Sequence, residues 1–253
     1  MNKEQIKILF LVQLPPPVHG SATISEFLVN SKTLNSFFTI KVLPLHYAKS
    51  MKDLGWISFS KIFRMFSIMI RLIQNIREFR PVAIYFTLTP FGIGFYRDIL
   101  FVTILKLFRL KIIYHLHMKG IMEASENSIL RKGLYRYVFH DTFVITLSRH
   151  LSLDISKVYG GKPFIVNNGL PLVTSARIAE IRLGAELQLL FLSNFMKAKG
   201  IFLFLSAIKM LRDQNYVFHA HIVGSPGDVS TNEIEEFISK NCLTDRVTLE
   251  GPK

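Results

Sequence analysis

One cysteine in 253 residues, Cys242, excludes an internal disulfide, so the chain must hold its shape by packing, and a reducing cytoplasm is its natural setting. Acidic residues are also scarce: 18 Asp and Glu stand against 31 Lys and Arg, a net charge of +13. Apolar types reach 49% and charged types only 19%, which excludes a disordered tail, a collagen-like fibre and a disulfide-stapled miniprotein. Missing too is an uninterrupted apolar run of the roughly 20 residues that a membrane-spanning helix needs. The most apolar stretches, 57–79 and 99–114, are broken by Lys61, Arg64, Arg71 and Arg77 and by Lys106, Arg109 and Lys111. The first apolar run is soon ended by Pro15 to Pro17 without a small-residue cleavage site, so it reads as a strand and not as a signal peptide. There is no GxGxxG, hence no dinucleotide fingerprint. No nucleic-acid motif or interleaved basic–aromatic patch is present, so nucleic acid is not an expected partner.

What is present is unevenly placed. Residues 1–173 hold 22 Lys and Arg against 9 Asp and Glu, whereas 174–253 hold 9 against 9. The whole positive excess lies in the first part, which points to an anionic neighbour there: phospholipid, nucleic acid or a phosphorylated substrate. A basic solvated face would carry the same excess. Lys61, Arg64, Ser67, Arg71, Asn75 and Glu78 fall three or four apart and make a narrow polar stripe on a helix over 57–79, with apolar residues around the rest. That pattern fits an interfacial helix on anionic lipid, with Lys61, Arg64 and Arg71 facing the membrane. It equally fits a helix packed on a sheet with its basic side chains reaching out to water.

Short apolar runs alternate with longer amphipathic stretches. Strands are expected at 6–12, 38–43, 82–87, 111–117, 143–147 and 163–167, and helices from 21 and over 57–79, 95–109, 129–139 and 149–158. This rhythm predicts a parallel, doubly wound α/β sheet. The pattern restarts with strands at 187–193, 217–223 and 247–249 and helices at 199–213 and 230–241. The expected division is 1–172 and 173–253, two Rossmann-like units, the second short enough to read as an unfinished domain with an exposed sheet edge.

Several segments carry chemistry. Leu14 to Ala22, LPPPVHGSA, joins the first strand to the first helix, where backbone N–H groups suit a phosphate and Gly20 permits close approach. A rigid proline-rich connector is the plainer alternative. His115 and His117 end a strand on one face, near the carboxyl edge where such sheets bind ligands. No third ligand sits at a readable spacing, so no metal is expected, and the choice is between substrate contact and core histidines. Val166 to Leu170 carries an Asn-Gly, ordinarily a turn. Lys197 and Lys199 precede a helix, where they could clamp a diphosphate or simply form a solvated basic turn.

Taken in order, PPPVHG, YHLHMKG, TLSRHLSLDI, VNNGL, LLFLSNFMKAKG and HIVGSPGD resemble a bacterial family 4 (group 1) glycosyltransferase of GT-B fold. The resemblance runs over essentially the whole chain. It implies two Rossmann-like domains, an acceptor side and a nucleotide-sugar side, and sugar transfer with retention and without a bound metal or other cofactor. By residue, it implies that Gly20 lies beside the donor phosphate and that His117 approaches the donor sugar, with His115 the alternative. Lys199 would grip the diphosphate. His19, Asn168 and Gly169 fall on the acceptor or interdomain side.

Two departures accompany it. The family usually has an arginine where this chain has Asn194, and an amide replaces neither the charge nor the fork of a guanidinium. The family's E-x7-E pair is expected beyond the equivalent of Lys253, and Glu233, Glu235 and Glu236 do not match it. The reading is therefore an acceptor half with the opening of a donor half and little unaided transfer. The partners it implies are a nucleotide-sugar, a glycan or lipid-phosphate acceptor and an anionic membrane surface, with the protein peripheral at the cytoplasmic face. A non-catalytic membrane- or partner-binding protein is the competing expectation.

Overall fold

The computed structural model describes residues 5–16, 18–45, 59–169 and 186–252, the side chains of 59–62 excepted. Two compact units divide at Pro171 and Leu172. The expected division at 172/173 falls within 170–185, outside the described residues.

The first unit holds a six-stranded, all-parallel sheet in the order β2-β1-β3-β4-β5-β6. Its strands are β1 (Ile6–Val12), β2 (Phe38–Pro44), β3 (Ala83–Phe86), β4 (Lys111–Leu116), β5 (Phe143–Thr146) and β6 (Phe164–Ile165). Between them come α1 (Gly20–Val29), α2 (Lys32–Phe37), α3 (Phe59–Phe79), α4 (Gly92–Leu107), α5 (Ile121–Glu126), α6 (Ile129–Phe139) and α7 (Arg149–Ser152), the last running into a 3₁₀ turn at Leu153–Ile155. The central strands read as apolar runs because a parallel sheet buries both faces. Alternation then sorts the layers. Leu9, Leu11, Ile84, Phe86, Ile112, Tyr114 and Val144 meet Ile68, Leu72 and Ile76 of α3, together with side chains of α4 and α6. Phe10, Val12 and Tyr85 face the other way, toward Leu28 and Val29 of α1.

The helix α3 shares the two readings of its sequence. Ile68, Leu72 and Ile76 are buried, so the helix packs on the sheet. Its outer face carries Phe63 and Ile70, 76% and 58% exposed, beside Phe66, Arg71 and Arg77. Arg64 is half-buried at the margin, and the Lys61 side chain lies outside the described residues. Among the described residues no helix is long and apolar enough to cross a membrane.

The second unit is a three-stranded parallel sheet, β7 (Leu187–Leu192), β8 (Phe218–Val223) and β9 (Val247–Gly251), in that order. One core contains Ile201, Leu205 and Ile208 of α8 (Ile201–Asp213) and Ile234 and Ile238 of α9 (Thr231–Lys240) against Phe218, Ala220 and Ile222. A capping box between Ser230 and Glu233 starts α9, each satisfying a backbone N–H of the other.

The elements differ from expectation in places. Two short helices, α2 and α5, were not foreseen. The helix expected over 149–158 ends after one turn, the helix expected at 199 starts at Ile201 after a 3₁₀ turn at Lys197–Lys199, and the strand expected over 163–167 shrinks to two residues.

Replacing Leu72 by Ala should cost about 2–5 kcal/mol by leaving a cavity between helix and sheet, while Ile70→Ala should stay within about 0.5 kcal/mol. Urea unfolding of both variants checks this, and equal losses would contradict the packing face assigned to α3.

Candidate active site

In the strand order 2-1-3-4-5-6 the connections leave β1 and β3 in opposite directions, and open α/β sheets bind ligands at the carboxyl ends of the strands flanking such a reversal. The β1–α1 junction, the end of β3 and the end of β4 therefore make the candidate site.

At the junction His19 is the N-cap of α1: its Nδ1 accepts from Ala22 N at 3.3 Å and lies 3.1 Å from Ser21 Oγ. Burial lowers its pKa. The acceptor-side residue expected here is thus first a helix cap. Gly20 opens the helix, and a Cβ added there would meet, among the described residues, no atom within 4 Å outside its chain neighbours and its own helix backbone. The protein's own packing does not demand that glycine.

His115, in β4, and His117, just past its end, both lie at this edge. Their rings are 4.1 Å apart, centroid to centroid. His115 is 4% exposed, and its Nδ1 is 2.5 Å from Tyr85 Oη on β3. Tyr85 stacks on Phe10 of β1 at 4.5 Å, which fixes its ring. His117 is half-buried. Its two ring nitrogens, His115 Nε2 and Thr87 Oγ1 are shielded from solvent and have no hydrogen-bond partner among the described residues. Burial, then the neighbouring His117, brings the His115 pKa down from 6.5 to about 3. Burial, then His19, brings His117 down to about 4. Both imidazoles are neutral near pH 7. They can donate or accept hydrogen bonds but cannot pair electrostatically with a phosphate.

Side chains distant in sequence hold this edge in place. Asp154, in the 3₁₀ turn after α7, accepts from the N–H groups of Gly120 and Ile121, each at 2.9 Å, and of Met122 at 3.2 Å. It caps α5 and fixes the loop following His117. Asp98 of α4 is fully buried and accepts from Thr89 N and Arg97 Nε, each at 2.8 Å, while Arg97 Nη2 donates to Thr89 Oγ1 at 3.0 Å. Desolvation pushes the Asp98 pKa up, and Arg97 is the largest opposing influence. The pair fastens the segment after β3. Sequence reasoning missed Tyr85, Thr87, Asp98 and Asp154: the partners of Tyr85 and Asp154 lie thirty or more residues away, and Thr87 and Asp98 read as ordinary members of their segments.

The remaining predicted residues lie elsewhere. Asn168 and Gly169 are exposed beyond β6. Arg64 and Arg71 lie on α3, on the side of the sheet opposite α1. In the second unit, Asn194 is half-buried, and Lys197 and Lys199 are exposed on the 3₁₀ turn that Gly200 ends at φ 81°. Asp228 accepts from Lys197 N at 3.0 Å. Gly224 lets the loops after β7 and β8 touch, because a Cβ there would lie 2.0 Å from Ser193 O. A separate cleft of about 270 Å³ in the first unit is lined by Phe91, Phe95, Tyr96, Ala124, Arg131 and Tyr135 and includes none of the predicted residues. Among the described residues no group of three or more His, Cys, Asp or Glu is placed to hold a metal ion.

No family model matches the sequence, and no curated protein matches it. Solved structures do. Anabaena HepE in complex with UDP and glucose aligns over 98% of this chain and 70% of its own, with TM-score 0.61 and 18% identity. WaaG, a glycosyltransferase involved in lipopolysaccharide biosynthesis, aligns over 97% of this chain and 70% of its own, with TM-score 0.62 and 13% identity. A glycosyltransferase from Rickettsia africae aligns over 99% and 69%, with TM-score 0.58 and 14% identity. This chain therefore has the α/β fold class of GT-B glycosyltransferases and spans about 70% of the length of these relatives.

The buried imidazoles make stability sensitive to acid. His117 is held neutral in the folded state down to about pH 4, whereas in the unfolded chain it binds a proton below about pH 6.5. The unfolded state therefore binds more protons as pH falls through this window, and stability drops. Urea midpoints between about pH 7 and about pH 4.5 should fall less steeply in His117→Gln than in the unaltered chain. Parallel slopes would contradict a neutral, buried His117.

Proposed function

We propose that this protein is a retaining glycosyltransferase that moves a sugar from a nucleotide-sugar to a glycan or lipid-linked acceptor in the synthesis of a surface polysaccharide. The observation that carries the reading is the pair of neutral imidazoles at the switch point of the first sheet, within a fold shared with HepE, whose solved structures include complexes with UDP and with UDP-glucose. The family 4 assignment and the absence of a cofactor belong to the same reading.

In this reading the bond between the anomeric carbon and the donor diphosphate breaks as the acceptor oxygen bonds to the same face of the sugar. The acceptor proton passes to the departing phosphate oxygen. His117, neutral near pH 7, hydrogen-bonds a hydroxyl of the donor sugar, with His115 beside it. The first unit offers the phosphate the backbone N–H groups around Gly20. The donor-phosphate role assigned to Lys199, which lies in the second unit with Lys197 two residues away, is to supply cationic charge in place of a metal. Asn194 contributes a neutral amide where the family resemblance leads to an expected arginine. His19, Asn168 and Gly169 stand on the acceptor side. The exposed Phe63, Phe66 and Ile70 of α3, flanked by Arg71 and Arg77, suit attachment to the inner face of the cytoplasmic membrane, where a lipid-phosphate acceptor would be met.

That same face favours a second reading, a membrane- or partner-binding protein that keeps the fold without the chemistry. The two readings separate in one set of binding measurements. Titration with UDP-glucose and other nucleotide-sugars should give saturable binding, and Lys199→Ala should weaken it about tenfold or more, since hydrogen bonds to a charged group contribute about 1.5–3 kcal/mol. Binding to vesicles containing phosphatidylserine with no nucleotide-sugar bound would sink the transferase reading and leave the second.

A further inference from the structure

The cleft of about 270 Å³ between α4, α5 and α6 has no role in either reading above. Phe95 and Tyr135 form its floor, both buried, with their rings 4.3 Å apart. Tyr135 Oη donates to Pro90 O at 2.5 Å, so the hydroxyl of the floor is satisfied within the protein. Phe91 and Tyr96 stand at the mouth, 41% and 47% exposed. The segment leading to Phe91 is the one that Arg97 and Asp98 fasten at Thr89. On its other side the Phe91 ring lies against the loop that follows His117, since a Cβ added at Gly120 would come within 3.1 Å of it. The cleft thus adjoins the carboxyl edge of the sheet without being part of it.

Its lining selects the class of ligand. A saccharide needs several hydrogen-bonding groups directed at it, whereas this surface is mostly aromatic, with the Tyr135 hydroxyl already spent. A cavity of about 150 Å³ between apolar side chains holds a benzene ring, so this larger one accommodates the first several carbons of a chain. Among the described residues, the charged side chain of the lining is Arg131, exposed on α6. Its guanidinium bears on the floor: burial raises the Tyr135 pKa to about 12, and Arg131 is the largest influence opposing that rise. Of the acidic groups nearby, Asp154 is spent on the N–H groups of α5, and Glu123 is exposed in the first turn of that helix. Exposed Ile129 and Leu130 precede Arg131, and exposed Ile93 follows Gly92, so apolar side chains flank the lining in both helices.

An apolar slot with an exposed guanidinium beside it matches an amphiphile whose chain enters and whose anionic head stays at the surface. We infer that this cleft holds the proximal carbons of a lipid phosphate, with Arg131 pairing the phosphate. The inference deepens the proposed function by choosing a lipid-linked acceptor over a free glycan, and it rests on that function for the occupant's role as acceptor. Through Phe91 an occupied cleft touches the loop after His117, so a lipid seated there is next to the edge assigned to transfer. The exposed Phe63, Phe66 and Ile70 of α3 are the competing apolar surface for the same chain.

Amide NMR of the ¹⁵N-labelled full-length chain, titrated below micellar concentrations with butyl, hexyl and octyl phosphate, tests this. Shifts should saturate at Phe91, Gly92, Tyr96 and Ala124 and reach Gly120. Affinity should rise with chain length, by up to about fourfold per methylene. Arg131→Ala should weaken octyl phosphate about tenfold or more and leave octanol unchanged, whereas Phe91→Ala should weaken both. Inorganic phosphate should not saturate the same amides, and octanoate should bind less tightly than octyl phosphate. Shifts confined to α3, affinity independent of chain length, equal binding by the Arg131→Ala variant, saturation by inorganic phosphate, or a preference for octanoate would overturn the inference. A protein that binds UDP-glucose but gives any of these results keeps the proposed function and loses the cleft. One that binds octyl phosphate as described but no nucleotide-sugar keeps the lipid-phosphate site and loses the acceptor role.

Discussion

A parallel sheet covered on both faces has little polar backbone to offer a ligand except at the ends of its strands, and the reversal of strand order between β1 and β3 opens one such end. The rest of the first unit depends on that constraint. Once β1 and β3 are neighbours with connections leaving in opposite directions, the start of α1 comes to one side of the opening and the end of β4 to the other. Histidines that would be inert inside the sheet become groups at its edge. Their neutrality follows from the same placement, because the covering that protects the sheet also strips their water.

The edge would have little value if it were loose, and three contacts keep it ordered. His19 caps α1, Asp154 caps α5 behind His117, and the Arg97–Asp98 pair ties down the segment after β3. All three satisfy backbone N–H groups with side chains, the usual remedy for the free ends of helices and turns. The second unit uses different means for its own loops. A glycine allows close backbone approach at Gly224, and a left-handed residue at Gly200 leads from the lysine turn into α8.

The sequence made the long elements legible because their apolar periods are unambiguous: the strands at 6–12 and 111–116 and the helix over 59–79 lie where the pattern places them, within a residue or two. It also showed the His115–His117 pair, through simple alternation. Short elements were not legible, because distant side chains determine them. The helix α5 exists where Asp154, more than thirty residues away, receives its first N–H groups, and the turn that brings Asp154 inward also ends the helix expected over 149–158. Tyr85 was hidden differently. Within Ala83 to Phe86 it reads as one more apolar strand residue, and only the pairing of β3 with β4 gives its hydroxyl a partner. Of the expected polar stripe of α3, Ser67, Arg71 and Glu78 are exposed and Arg64 and Asn75 half-buried, while the apolar Phe63 and Ile70 are exposed as well, since Ile68, Leu72 and Ile76 take the sheet.

The central claim of the proposed function is that the switch-point edge of the first unit and the lysine turn of the second, each taken by itself, respond to a nucleotide-sugar. Hydrogen–deuterium exchange with and without UDP-glucose tests it most directly. Slower exchange confined to the amides around 19–23, 117–122 and 197–203 is the result this account predicts. Unchanged exchange in those three segments, or protection confined to other parts of the chain, would contradict it.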